Sequence, residues 1–166
     1  FRSNALYTSN FTPPTQPLSA VSNTTLLTCQ SNAFIDKGPN RYSITRVNNT
    51  TVSKFDPFKP YKAIPASYGV YFDGTGDYLT APANTAFAFS GDFTIEFWVR
   101  TSVFDQNTYF RRVICFGQDA ADNLQLLFYN GAATSNLGVY SNSQLITGTI
   151  AVADGNWHHK IGRAHV

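Results

Sequence analysis

Few residues in this chain have the types and spacing that could do chemistry. The stretch VYFDGTGDYLTAP, Val70–Pro82, sets Asp73 and Asp77 four residues apart with Gly74 and Gly76 between them. A phosphate cradle would need such glycines to open a helix whose amides hold the anion. Here they lead into DYLTAP, a strand-like run closed by a proline, so that chemistry is excluded. A cation site needs several converging oxygens, and two loop carboxylates with nearby carbonyls would begin a calcium shell, which makes Asp73 and Asp77 the candidate calcium ligands. A tight turn needs only an Asp-Gly step between two strands, the carboxylates bonding local amides and a glycine taking positive φ. The turn accounts for every residue in the stretch, and no cofactor other than calcium is suggested.

Other reactive side chains are isolated. His158 and His159 are neighbours, and adjacent residues on a strand face opposite ways, so the two cannot share one zinc ion. Cys29 and Cys115 each sit in an apolar run, LLTCQ and VICFG, without CxxC spacing. They are expected to be thiols. No Ser/His/Asp or Cys/His set is recognisable. Trp98 is the one candidate sugar platform, with packing under a neighbouring element as the plainer expectation.

The elements that must hold these residues are strands. Ten short apolar runs from LLTCQ to QLITGTIAV recur at roughly ten-residue spacing between Gly, Asn, Asp and Pro, the pattern of an antiparallel sandwich or barrel. In DFTIEFWVR, Phe93, Ile95, Phe97 and Val99 alternate with Thr94, Glu96, Trp98 and Arg100. The first set is expected to be core, because a slip of one residue would expose all four. Only 13% of residues are charged and 15% are aromatic, and the net charge is +2. Apart from Arg111 and Arg112 the cations are scattered, so nucleic acid is not an expected partner. Nor is a membrane, since no apolar run approaches the roughly 20 residues of a bilayer span. Residues 1–18 contain Pro13, Pro14 and Pro17 and read as an extended connector.

The run YFDGTGDYLTAPANTAFAFSGDFTIEFWVR, followed later by DGNWHH, resembles the laminin G-like jelly-roll module of the concanavalin A-like lectin/glucanase superfamily. LLTCQSNAFIDKGPNRYSITRVNNTTVSKFDPF is similar to the opening strands of the version found in tandem in marine bacteriophage structural and tail proteins. ALYTSNFTPPTQPL resembles the closing strand and linker of a preceding copy. The resemblance implies an all-β, antiparallel two-sheet jelly-roll sandwich, with residues 19–159 forming a laminin G-like domain that is incomplete at its C-terminus. Residues 1–18 would be the end of a preceding repeat. KIGRAHV, Lys160–Val166, resembles a translated short-read sequencing adapter and is expected to lie outside the domain. Hydrolases of the superfamily alternate Glu-x-Asp-x-Glu along one strand, whereas Asp92, Thr94 and Glu96 put threonine in the middle place. On a strand the two outer carboxylates are about 13 Å apart in rise, wider than glycosidases use. No catalytic residue is therefore expected. What the resemblance implies is a non-catalytic adhesion or carbohydrate-binding module of a phage tail or virion, with cell-surface polysaccharide and neighbouring repeats as partners. A purely architectural spacer, an extracellular or cell-surface location, and a glycan hydrolase are the alternatives.

Overall fold

A computed structural model describes residues 1–7, 9–58, 68–89, 91–101, 111–117, 124–130, 135–141 and 144–164. The chain is all-β and antiparallel, with a single 3-10 turn, Thr85–Phe87, as its only helical element among these residues. No helix among them is long and apolar enough to cross a membrane. Two compact units form: Phe1–Phe97 with Ile161–Val166, and Trp98–Lys160.

The first unit holds short ladders. β1 (Thr45–Val47) pairs with β4 (Tyr78–Thr80), and β2 (Thr51–Ser53) pairs with β3 (Gly69–Tyr71). A further pair, β5 (Phe93–Val99) with β10 (His158–Ala164), is not confined to this unit. β10 runs through Lys160–Ala164, the stretch set aside above as an adapter. Strand pairing uses backbone groups, so it does not depend on where those residues come from. The LLTCQ run is not a strand: Cys29 takes φ 64°, turning the chain, and Leu27 gives its carbonyl to Lys37 N at 2.7 Å.

Polar residues dominate what this unit buries. Leu26, Phe58 and Ile95 are buried with Arg2, Thr24, Thr25, Asp36, Thr50, Asp56 and Thr94. Each buried polar group needs a partner, because an orphan costs about 1–3 kcal/mol. Asp36, 3% exposed, accepts from Leu27 N at 3.0 Å and Gly38 N at 2.7 Å through Oδ1, and from Tyr42 N at 3.0 Å through Oδ2. Thr50 donates to Val47 O at 2.8 Å, closing the β1–β2 turn. Three amides converging on one carboxylate make Asp36 the clasp of the 27–42 segment. Gly38 packs so closely that a Cβ would lie 2.9 Å from Asp36 Oδ1.

β5 is covered on both faces. Of the four residues expected as core, Ile95 is 2% exposed but Phe93, Phe97 and Val99 are only half-buried, while Thr94 on the opposite face is 1% exposed. The reason is residues 1–7, which pair along β5 rather than extending away. Arg2 exchanges backbone hydrogen bonds with Thr94 at 2.9 and 3.0 Å, while Thr25 N donates to Phe1 O at 2.8 Å and Ser3 N to Asn23 O at 3.2 Å. The Thr94 hydroxyl accepts from Leu6 N at 3.0 Å and donates to Asn4 O at 2.8 Å.

The second unit is a meander, β6 (Arg111–Cys115), β7 (Gln125–Asn130), β8 (Ser135–Ser141) and β9 (Gln144–Ala151), in that order. Consecutive residues Leu126 and Leu127 of β7 are both buried, so this strand too is covered on both faces. Leu127 faces Gly138 across the ladder, where a Cβ would meet Leu145 Cδ1 at 3.2 Å and Ile146 O at 3.3 Å. A larger residue there would force the neighbouring strands apart.

Two outcomes follow from these environments. Asp36→Ala should lower unfolding free energy by at least about 2 kcal/mol in chemical denaturation, because three amides lose their acceptor together; an unchanged midpoint would remove the clasp. The two cysteines are free thiols, Cys115 exposed and Cys29 half-buried. Burial pushes the Cys29 thiol up to about 11, so at pH 8 about one molecule in a thousand carries its thiolate. Iodoacetamide should therefore modify Cys115 first, and the Cys29 rate should climb about tenfold per pH unit. Equal rates at pH 8 would contradict this burial.

Candidate functional site

The Asp73–Asp77 segment is a turn locked from outside. Asp73 Oδ1 accepts from Thr75 N at 2.7 Å, and Asp77 Oδ2 accepts from Asp73 N at 3.0 Å. Asp77 Oδ1 accepts from Asn49 N at 2.7 Å, and Asn48 Nδ2 donates to Gly76 O at 2.6 Å. Gly74 and Gly76 have φ of 87° and 71°. A Cβ on Gly76 would also sit 2.6 Å from Asn48 Nδ2, so a side chain there would be strained and would displace the Asn48 amide. Asp77, with the Asn48 amide on Gly76 O, thus clamps the β3–β4 turn to the β1–β2 turn, while Asp73 bonds within its own turn. Among the described residues no group of three or more His, Cys, Asp or Glu side chains gathers as a metal shell.

The adjacent histidines take different partners. His158 Nε2 lies 2.8 Å from Asp154 Oδ1, and His158 followed by the Asn156 amide holds the Asp154 carboxyl well below the usual carboxylate range. The His159 ring lies 5.0 Å from the Trp98 ring, tilted by 48°. Trp98 is half-buried, and the imidazole takes up part of the surface that a sugar would stack on.

Glu96 is held by residues of the N-terminal segment. Tyr7 donates its hydroxyl to Glu96 Oε1 at 3.0 Å, and Arg2 lies 3.9 Å from Oε2, with both charged side chains largely buried. Burial first, then the hydrogen bond to Glu96, raises the Tyr7 hydroxyl above its ordinary value. It therefore stays a proton donor. Between Glu96 and Asp92 stands Thr94, spent on Leu6 and Asn4.

Tyr7 so anchored lines a shallow, open groove in the first unit. Tyr7, Ser9, Asn10, Phe11 and Ile161 line about 360 Å³. The Tyr7 and Phe11 rings stack at 4.0 Å and 16°, and Phe11 is 37% exposed. Ser9 and Asn10 are exposed beside them. An aromatic plate flanked by a hydroxyl and an amide can pack on the C–H face of a small neutral ligand while bonding its hydroxyl groups. Sequence reading assigned these residues to a connector. The available signal was two aromatics four apart around Ser and Asn, just before the prolines.

Comparison with known families bears on the rest of the chain. The sequence model of Laminin_G_3, described as concanavalin A-like lectin/glucanases superfamily, matches residues 73–163, more than half of the chain. The chain belongs to this superfamily. No curated protein and no solved structure matches it. In this laminin G-like chain the match opens on Asp73 of the clamped turn and takes in β5 and most of β10. The groove residues Tyr7–Phe11 lie ahead of it. Because three backbone amides already bond the turn carboxylates, millimolar calcium should leave the melting temperature of the laminin G-like chain unchanged. A rise of several degrees on adding calcium, reversed by a chelator, would instead assign Asp73 and Asp77 to an ion.

Proposed function

We propose that this chain is a non-catalytic carbohydrate-binding module of a phage tail or virion structural protein, with cell-surface polysaccharide as its ligand. Superfamily membership supports the ligand class, since domains of this kind often bind carbohydrate. The observation that carries the reading to particular residues is the stacked Tyr7–Phe11 pair beside Ser9 and Asn10. Tyr7 is pre-positioned by its bond to Glu96, so little side-chain entropy remains to be lost on binding. The same bond, with Arg2, engages the buried Glu96 carboxylate in structural pairing, which supports a binding role over hydrolysis. Each groove would bind weakly. Repetition along a longer virion protein would then multiply weak contacts, by roughly 10²–10⁴ when linkers allow simultaneous engagement.

A second set of exposed aromatics, Tyr71, Phe72 and Tyr78, flanks the clamped turn and provides an internal control. On a glycan array, the chain should bind a subset of neutral polysaccharides. Phe11→Ala should lose about tenfold in affinity, the worth of one stacked ring at about 1.4 kcal/mol, with Tyr78→Ala unaffected. Loss confined to Tyr78→Ala would move the site to the turn. Absence of binding to any glycan would favour an architectural spacer instead.

A further inference from the structure

Residues 1–7 are a docked strand whose backbone hydrogen bonds fall on two short stretches, 23–26 and 94–96, with the Phe1 ring also edge-on to Phe87. One side is Asn23–Leu26. Phe1 N donates to Leu26 O at 2.8 Å, Thr25 N to Phe1 O at 2.8 Å, and Ser3 N to Asn23 O at 3.2 Å. The other side is Thr94–Glu96. It supplies the Arg2–Thr94 backbone pair, the Thr94 hydroxyl between Leu6 and Asn4, and Glu96 to Arg2 and Tyr7. The seat is thus a slot with two hydrogen-bonding walls and a buried carboxylate that selects a cation at position 2.

The chain joining this strand to the slot is of a different kind. Apart from half-buried Pro14, Pro17 and Leu18, residues 9–23 are exposed, and Pro13, Pro14 and Pro17 favour extension. Twelve extended residues, 9–20, reach about 40 Å. That is the width of a domain of about 140 residues, whose radius of gyration is about 14 Å. The connector is therefore long enough to place its strand in the slot of an adjoining copy, and the slot contacts are the same whichever copy supplies the strand.

We propose that Phe1–Tyr7 is an exchangeable strand, and that the slot between Asn23–Leu26 and Thr94–Glu96 accepts the same segment from a second copy of this chain. Because contacts in cis and in trans are identical, the balance is set by concentration. A flexible tether of this length presents its own strand at about millimolar effective concentration. Copies held side by side present a neighbour's strand at a similar level, so exchange would link adjacent modules into a continuous array. This holds whether or not the groove takes sugar.

The test uses the full chain and a synthetic peptide of residues 1–11. The chain carries Ser22→Cys with Cys29 and Cys115 replaced by serine, and the peptide carries Ser3→Cys, so a short bis-maleimide joins them only when the peptide is seated. Expected is saturable cross-linking, half-complete near millimolar peptide, and at least tenfold weaker with Arg2→Glu in the peptide, which would set a second carboxylate against Glu96. The chain bearing both Ser3→Cys and Ser22→Cys should close the same link within itself. If that link closes while several-millimolar peptide labels no better than a scrambled sequence, the strand is fixed in cis and exchange is wrong. If the internal link does not close either, the strand does not occupy this slot and the proposal falls with it.

Discussion

The first unit depends on keeping the polar groups of β5 paired once they are out of water. Thr94 is buried, its backbone exchanges two hydrogen bonds with Arg2, and its hydroxyl bridges Leu6 and Asn4. Without residues 1–7, those groups and the neighbouring Thr24 and Thr25 would face solvent or stay unsatisfied, at about 1–3 kcal/mol for each buried orphan. Few large apolar side chains are available to offset such a loss, since Leu26, Phe58 and Ile95 are the buried apolar members of this unit among the described residues. Specific pairing, more than bulk hydrophobic area, therefore fixes how this unit is put together.

The second unit shows the opposite balance. Leu126 and Leu127 bury both faces of β7, and Gly138 lets β8 lie close beside it. Gln125, the buried polar member of the same strand, accepts from Arg112 Nε at 2.7 Å. Here ladder pairing in sequence order suffices, because each strand meets the next one along the chain. The groove belongs to the first kind of organisation. Tyr7 stands where it does because its hydroxyl reaches Glu96, 89 residues away, and Phe11 stands where it does because it stacks on Tyr7. A buried structural contact and a ring lining an open groove are thus two ends of one side chain.

Much of the architecture was legible beforehand. The all-β class, most strand runs from RYSITRV onward, and the Asp-Gly turn with its local amide bonds follow from alternation and turn chemistry, which act over a few residues. Two local readings went astray for one reason. LLTCQ has the composition of a strand, but its neighbours supply other partners: Leu26 and Thr25 bond Phe1, and Leu27 bonds Asp36 and Lys37. In β5 the set expected as core is not the most buried: Thr94 on the other face is as buried as Ile95, because polarity records the need for partners and leaves open whether water or protein supplies them.

What the sequence by itself determined is therefore what short-range periodicity and glycine placement can encode: strands, their inward residues such as Ile95, and a turn at 73–77 that admits glycine at 76. Tertiary structure alone decided that residues 1–7 line β5, that Asp36 gathers three amides, that Asn48 and Asn49 lock the turn from a different hairpin, and that Tyr7 and Phe11 enclose a groove with Ile161. These contacts join residues from a few to about 150 positions apart, and most depend on which backbone groups were still unpaired after the local strands had formed. No window of neighbouring residues holds that information.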